Sequence, residues 1–181
     1  KLTSDATPYP YIRVTDFNDE GTIDESSVQF ITKEIQKGIS RYTISKDDVY
    51  ISIAGTIGKS GVVPDSLNNA NFTENAAKIV LSKKCLRDYF YFFTTSSSFE
   101  EQAIKQTRTA AQPKLALSRL GKVKFPLHGI VEQQRIIEKV RATRDLKTKL
   151  EKIAIRKISE LNSLKSEILA HELQPPKSEV A

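Results

Sequence analysis

The spacing of apolar residues changes near residue 128. Before this point, short runs of β-branched and aromatic residues alternate with turn residues, as in Val49–Ala54 before Gly55, a pattern typical of strands. After it, apolar residues recur mostly three to five positions apart, and about 40 residues pass without a glycine or proline until Pro175. This spacing places apolar side chains on one face of a helix. The sequence therefore predicts a compact body followed by one long helix.

The body has the pattern of a mixed fold, in the α/β or α+β class. Strands are predicted where β-branched and aromatic residues cluster between turns, and helices where mixed apolar and polar segments lack glycine and proline. The predicted elements are a strand over Tyr9–Phe17, a hairpin over residues 49–63, a strand over Ala77–Leu81, two helices between Leu86 and Gln106 with a break near Thr94–Ser98, and a last strand over Leu120–Pro126.

The long helix is predicted to begin near Ile130 and to end before Pro175. At about 1.5 Å per residue it would measure roughly 60 Å, more than the expected diameter of the body. Its apolar stripe therefore needs a partner, and we expect another long helix. No other segment predicts a helix of matching length, so the partner is a second chain or a domain outside this one. The residues predicted to form this dimerisation contact are Val140, Leu146, Leu150, Ile153, Leu161, Leu164 and Ile168.

Length and composition fit one domain with an appendage, since the chain has 181 residues. We expect a body over residues 1–128, the helix over 129–173 and a flexible tail over 174–181. No apolar run approaches the roughly 20 residues of a bilayer span, and we expect no membrane association. The chain shows no secretory signal and has one cysteine, Cys85, which favours a reducing cytoplasm. Because Lys1 is not methionine, we expect further sequence to precede it.

Charge is segregated along the chain, whose net charge is +6. Residues 1–30 contain two basic and six acidic side chains, whereas residues 100–124 contain six basic and two acidic ones. Clustered lysine and arginine side chains attract phosphates and speed association at low salt. The distribution favours a polyanionic partner such as nucleic acid, and chance clustering on a solvated surface is the alternative.

Catalytic and metal motifs are not found in the sequence. The segment Gly55-Thr56-Ile57-Gly58-Lys59-Ser60 has two residues between its glycines, whereas a phosphate-binding P-loop needs four. His128 and His171 are far apart and Cys85 is alone, so no cluster has the spacing of a zinc site. We expect no cofactor and no enzymatic activity in this chain, and we expect the glycine turn to present Thr56 and Lys59.

Four segments of the chain stand in an informative order. They are Tyr11-Ile12-Arg13-Val14-Thr15-Asp16-Phe17, then Asp48-Val49-Tyr50-Ile51-Ser52-Ile53-Ala54-Gly55-Thr56-Ile57-Gly58-Lys59, then Gln112-Pro113-Lys114-Leu115, and finally Phe125-Pro126-Leu127 before Glu132-Gln133-Gln134-Arg135-Ile136. Each segment alone is weak evidence of a family. Because all of them occur in this order over nearly the whole chain, the chain resembles the specificity (S) subunit of type I restriction-modification enzymes. The resemblance implies one target-recognition domain with one conserved spacer helix, which is half of a two-domain subunit.

That resemblance implies a non-catalytic protein that reads double-stranded DNA and holds methylation (M) subunits, and in some systems restriction (R) subunits, at the target. Two spacer helices of the family pack antiparallel as a coiled coil. A chain with one body is therefore expected to form a homodimer through residues 130–172. Two-fold symmetry would then require an inverted-repeat target with an unread spacer.

Sequence readout needs side chains that form paired hydrogen bonds with base edges, together with lysine, serine and threonine side chains that contact phosphates. Residues of this kind are predicted in loops of the body. The candidates for DNA binding are Arg41, Tyr42, Thr56, Lys59, Asn69, Asn71, Arg108, Thr109, Gln112 and Lys114.

Two other interpretations fit the sequence. The chain could be a coiled-coil adaptor whose body binds protein, which predicts weak DNA affinity without sequence preference. It could instead be the recognition domain of a larger fused restriction enzyme. The length of the full gene, or the identity of the neighbouring genes, would separate a fused enzyme from a specificity subunit.

Overall fold

The structure is a computed structural model that describes residues 2–106 and 117–173, with side chains described for all of these except 104–106. The chain divides into two compact units, the first over Lys1–Ile137 and the second beginning at Glu138. Within its described residues, the first unit holds two small sheets, four α-helices, two short 3-10 helices and the first turns of a fifth α-helix. A mixed α+β body followed by a long helix is thus confirmed.

The first sheet has four strands in the order β2-β1-β6-β3. These strands are β1 (Pro10–Ile12), β2 (Gln29–Phe30), β3 (Thr43–Ile44) and β6 (Ala70–Phe72). Strand β1 pairs with β6 in parallel, and the other two pairings are antiparallel. Helix α1 (Lys33–Ile39) connects β2 to β3. The predicted strand over Tyr9–Phe17 therefore forms over three residues and then turns into a short 3-10 helix at Val14–Asp16.

The second sheet has three strands, ordered β5-β4-β7 and all antiparallel. They are β4 (Val49–Ser52), β5 (Ser60–Val62) and β7 (Ala76–Ile79). The predicted hairpin over residues 49–63 and the predicted strand near 77–81 are both confirmed. All four residues of β4 are buried, as expected for a central strand covered on both faces.

Strand β4 contributes to two hydrophobic cores because successive side chains point to opposite faces. Tyr50 belongs to the first core and stacks on Phe17, with ring centroids 4.0 Å apart. Ile51 belongs to the second core together with Phe99 and Leu120. The alternation along this strand therefore joins the core of the first sheet to the core beneath the helices.

The two helices predicted between Leu86 and Gln106 are α2 (Arg87–Thr94) and α3 (Ser97–Gln106). They are confirmed, with the break at Thr95 and Ser96. Hydroxyl groups of both residues donate to carbonyl groups in the last turn of α2, at 2.9 Å and 2.7 Å. These side-chain bonds satisfy carbonyls that a continuing helix would have paired with backbone N–H groups.

The prediction of a last strand over Leu120–Pro126 is wrong. Leu117–Leu120 forms a single helical turn, α4, and residues 121–129 are irregular. The carboxamide of Gln102 accepts from Lys124 N–H at 2.8 Å and donates to Lys124 C=O at 3.1 Å. One side chain thus pairs both main-chain groups that a strand would offer to a neighbouring strand. Phe125 packs between Phe90 and Phe93, with ring centroids 5.0 Å and 5.1 Å away.

The long helix, α5, covers Ile130–Glu172 and has 43 residues, which confirms its predicted bounds. Its first two turns belong to the first unit. There, Gln133 and Ile137 are buried. The remaining turns form the second unit within the described residues. The predicted tail, 174–181, lies outside the described residues.

Candidate nucleic-acid interface

The loop between β4 and β5, residues 53–59, is closed around the buried side chain of Ser52. The Ser52 hydroxyl donates to the carbonyl of Thr56 and accepts from Lys59 N–H at 2.9 Å. The Ser52 carbonyl accepts from Gly58 N–H at 2.9 Å. This loop precedes a strand, whereas a P-loop precedes a helix, so the loop has no helix N-terminus after it.

Gly55 and Gly58 give this loop its shape. Their φ angles are +76° and +87°, values that side chains with a Cβ rarely adopt. A Cβ at either position would meet nothing within 4 Å. The glycines therefore serve the backbone conformation and leave the loop open to an approaching molecule.

A second turn, residues 17–23, lies beside this loop. Asn18 shapes it, because its side-chain oxygen accepts from the N–H groups of Glu20 and Thr22 at 3.1 Å and 3.0 Å. The next residue, Asp19, is fully exposed and forms an ion pair with Lys59, whose Nζ lies 2.8 Å from Asp19 Oδ1. The hydrogen bond and positive charge of Lys59 lower the pKa of the Asp19 carboxyl.

The loop and the turn border a groove of about 820 Å³, called here the first groove. It is also lined by residues of α2, of α3 and of the break between them, including Thr95, Ser96 and Glu100. Tyr91 holds the turn against α2 by donating its hydroxyl to the carbonyl of Glu20 at 3.2 Å. Among the described residues that line this groove, Lys59 is the one cation, and Asp19 and Glu100 are anions.

A second groove, of about 460 Å³, contains a cation stacked on an aromatic ring. The Arg41 guanidinium carbon lies 4.8 Å from the centroid of the Tyr42 ring, and Arg41 Nη2 donates to the Tyr42 hydroxyl at 2.7 Å. Tyr42 is 51% exposed, so its ring is accessible. Lys78 and Leu117 also line this groove.

The structure places the predicted DNA-binding residues in different surroundings. Arg41 and Tyr42 line the second groove, and Thr56 and Lys59 line the first. Asn69 is exposed and has a left-handed φ of +64°. The remaining candidates lie outside the described residues, and these are Arg108, Thr109, Gln112 and Lys114. The flanking described residues Ala103 and Leu117 line the first and second groove, respectively.

Asn71 has a structural role that the sequence did not indicate. It is 3% exposed, and its amide donates to the carbonyls of Ile39 and Tyr42 at 3.0 Å and 3.3 Å. It therefore fixes the end of α1 to the start of β3, and we leave it out of the proposed interface. For Asp19, by contrast, the sequence predicts only a turn over Asn18–Thr22, and the ion pair with Lys59 appears only in the structure.

The Tyr11–Phe17 motif also has a structural role. Arg13 forms a bidentate ion pair with Asp16, in which Nη2 lies 2.7 Å from Oδ1 and Nε lies 3.2 Å from Oδ2. The Asp16 side chain is completely buried. The same guanidinium donates to Gln29 and to the carbonyl of Ser27 at 2.9 Å and 2.8 Å. The Arg13 side chain, which is 30% exposed, thereby has its hydrogen bonds directed to other parts of the fold.

The residues predicted for dimerisation stand along one helix. Six of them are exposed by 52% to 64% in the single chain, namely Leu146, Leu150, Ile153, Leu161, Leu164 and Ile168. Val140 is half-buried. These side chains form a continuous exposed apolar stripe, whereas the apolar residues of an ordinary surface are scattered singly.

Metal-binding clusters and membrane-spanning helices are both missing from the described part of the chain. Within these residues, no group of three or more histidine, cysteine, aspartate or glutamate side chains could hold a metal ion. No helix of the same residues has both the length and the apolar character needed to cross a membrane.

Comparison with known proteins defines the class to which this arrangement belongs. Residues 1–160 match the family described as type I restriction modification DNA specificity domain. The chain therefore belongs to this family of type I restriction-modification specificity subunits.

Particular relatives support the assignment. The chain is 29% identical over 160 residues to the type I restriction enzyme EcoBI specificity subunit of Escherichia coli, covering 88% of this chain and 33% of that one. The HsdS subunit from Thermoanaerobacter tengcongensis has the same fold, with a TM-score of 0.76, 18% identity and coverage of 96% of this chain and 45% of that one.

A chain from a structure of a type I R-M system, solved to explain complex assembly and conformational transition, gives a TM-score of 0.72 at 15% identity and covers 93% of this chain and 39% of that one. The present chain spans about one third of the length of its curated relative.

Proposed function

We propose that this chain is a non-catalytic, sequence-specific DNA-binding unit of a type I restriction-modification system. It reads one half of a bipartite target and docks methylation subunits, and restriction subunits where the system has them. The observation that carries the proposal is that the family match over residues 1–160 includes the open glycine loop with Thr56 and Lys59 at the first groove.

The chemistry of the two grooves supports this assignment. The first groove presents a lysine, hydroxyl groups and exposed backbone around Gly55 and Gly58, which suit both phosphates and base edges. The second groove presents Arg41 and the exposed ring of Tyr42, a pairing suited to phosphate contact and stacking. The DNA-binding proposal therefore retains Arg41, Tyr42, Thr56, Lys59 and Asn69, together with the candidates between Arg108 and Lys114.

Pairing of two chains through α5 is the second part of the proposal. The exposed stripe needs a cover, and the charges along the helix favour an antiparallel arrangement. Residues 139–157 carry eight lysine and arginine side chains and two acidic ones, whereas residues 158–172 carry one lysine and three glutamates. Parallel helices would align the basic segments with each other, while antiparallel helices place each basic segment beside an acidic one.

DNA binding is tested by measuring the affinity of the full chain for duplex DNA over a range of salt concentrations. Lys59→Ala and Arg41→Ala should each weaken binding, and Arg41→Ala should also reduce the salt slope by about 0.9 for every phosphate that it no longer neutralises. Lys46→Ala is the matched control, because Lys46 pairs with Asp65 away from both grooves. Equal affinity and slope for all three variants and the unaltered chain would contradict this placement of the interface.

A further inference from the structure

The ion pair between Asp19 and Lys59 has one feature that phosphate binding leaves unexplained. Asp19 borders the first groove beside Lys59 and its side chain is fully exposed. A carboxylate repels the phosphates that the lysine attracts. A surface that contacted the DNA backbone alone would be weakened by this residue, so a ligand that uses both charges fits the pair better.

Both members of the pair are held by structured backbone. The Asn18 side chain closes the turn that carries Asp19, and the backbone of that turn docks on β5 through Val62 N–H, which donates to Gly21 C=O at 2.9 Å. Lys59 N–H donates to the Ser52 hydroxyl in the adjoining loop. An acceptor and a donor are thus presented side by side, with Oδ1 and Nζ 2.8 Å apart.

The major-groove edge of a base pair offers a matching arrangement. Cytosine presents the N4 amino donor, and its partner guanine presents the acceptors O6 and N7. Cytosine N4 and guanine O6 are hydrogen-bonded to each other, so they lie about 2.9 Å apart. An adenine-thymine pair also sets an amino group beside an acceptor, but thymine offers one acceptor next to a methyl group, whereas guanine offers two to an ammonium.

We propose that Asp19 and Lys59 together read one C·G base pair in the major groove. The Asp19 carboxylate accepts from the cytosine amino group, and the Lys59 ammonium donates to guanine O6 and N7. This inference rests on the proposed function, which makes the first groove a DNA-contacting surface, and it adds Asp19 as a specificity-determining residue.

The test selects sequences from a library of duplexes with a randomised segment, using the full chain and sequencing the bound fraction. The unaltered chain should enrich a position occupied by C·G. Asp19→Asn and Lys59→Gln should both reduce discrimination at that same position, by roughly tenfold, and leave the other positions unchanged. Asp65→Asn is the control, since Asp65 belongs to an exposed ion pair with Lys46 outside the first groove.

The outcomes separate this inference from the proposed function. If Asp19→Asn binds every duplex more tightly and keeps the same preferences, Asp19 is a competitor for Lys59 and the inference is overturned while DNA recognition stands. If Asp65→Asn changes the same position, general surface charge explains the effect and the inference also fails. An unaltered chain that enriches no sequence overturns the proposed function together with this inference.

Discussion

The side chain of Gln133, on the long helix, accepts a hydrogen bond from the backbone N–H of Leu86 at 2.8 Å. Its amide nitrogen donates to the carbonyls of Lys84 and His128, at 2.8 Å and 2.7 Å. Gln133 is completely buried. This glutamine, near the start of α5, thus fastens the helix to the loop before α2.

Replacing Gln133 by alanine should lower the free energy of unfolding by about 2–3 kcal/mol, because buried main-chain groups lose their partner. Urea denaturation followed by circular dichroism measures the change. Val131→Ala, at an 86% exposed position two residues earlier in α5, should change stability by less than about 0.5 kcal/mol. Equal losses for the two variants would show that the anchoring bonds contribute little.

The ion pair of Arg13 and Asp16 gives a second stability prediction. Asp16→Ala should cost about 3 kcal/mol, since it removes a completely buried carboxylate and leaves the half-buried Arg13 guanidinium and the Ser27 hydroxyl without it. Asp65→Ala, which removes the exposed pair with Lys46 at 3.3 Å, should cost no more than about 1 kcal/mol. Thermal unfolding of both variants checks the comparison. A similar loss in each would mean that burial does not strengthen the first pair.

Two glycines differ in what surrounds them. A Cβ on Gly61 would lie 2.3 Å from the carbonyl oxygen of Gly21 and 2.3 Å from Tyr50 Oη, so Gly61→Ala should destabilise by about 2–3 kcal/mol. A Cβ on Gly38, in helix α1, meets nothing within 4 Å. Gly38→Ala should therefore stabilise by about 0.5–1 kcal/mol. Denaturant unfolding should show that Gly61→Ala lowers the free energy of unfolding and that Gly38→Ala raises it. A change in the same direction for both variants would contradict this packing.

The Asp19 carboxyl should titrate below its ordinary pKa of 3.8 because Lys59 stabilises its charged form. Its contribution to stability is present above the ordinary pKa and is lost as the pH falls through the lower folded-state pKa. A pH titration of the Asp19 side chain by NMR measures this shift. In Lys59→Ala the pKa should rise towards the ordinary value, whereas Lys46→Ala should leave it unchanged.

Elements with strong local patterns could be predicted from the sequence. The 49–63 hairpin follows from β-branched residues and glycines, and α5 follows from an uninterrupted spacing of apolar residues. The strand predicted over Leu120–Pro126 failed because its apolar residues fill an aromatic cluster while Gln102 pairs the main chain of Lys124. A contact between residues so distant in sequence leaves no local pattern.

The candidate site was predictable to the same extent. Lys59 and Thr56 follow from the glycine turn, where short-range spacing determines exposure. The sequence predicts DNA binding for Asn71 and does not predict the ion pair of Asp19. The burial of Asn71 and the pairing of Asp19 both depend on segments distant in sequence, namely Ile39 and the 53–59 loop. Spacing along the chain therefore identified the loops, and tertiary contacts decided the roles within them.

The pairing of α5 gives the last prediction. If two chains pack antiparallel through the exposed stripe, the double variant Leu150→Asp/Leu161→Asp places charged side chains in an apolar contact. This variant should therefore be a monomer. Light scattering at tens of micromolar measures the mass. Lys147→Asp is a control for added negative charge, as Lys147 pairs with Glu151 on the exposed charged surface. The Lys147→Asp variant should remain a dimer.

The orientation of the two helices is tested by single cysteines in a Cys85→Ser background. If the helices are antiparallel, a mixture of the Lys139→Cys and Lys165→Cys variants should cross-link far better than the Lys139→Cys variant with itself. A monomeric unaltered chain would contradict the pairing, and efficient Lys139→Cys self-linking would indicate parallel helices.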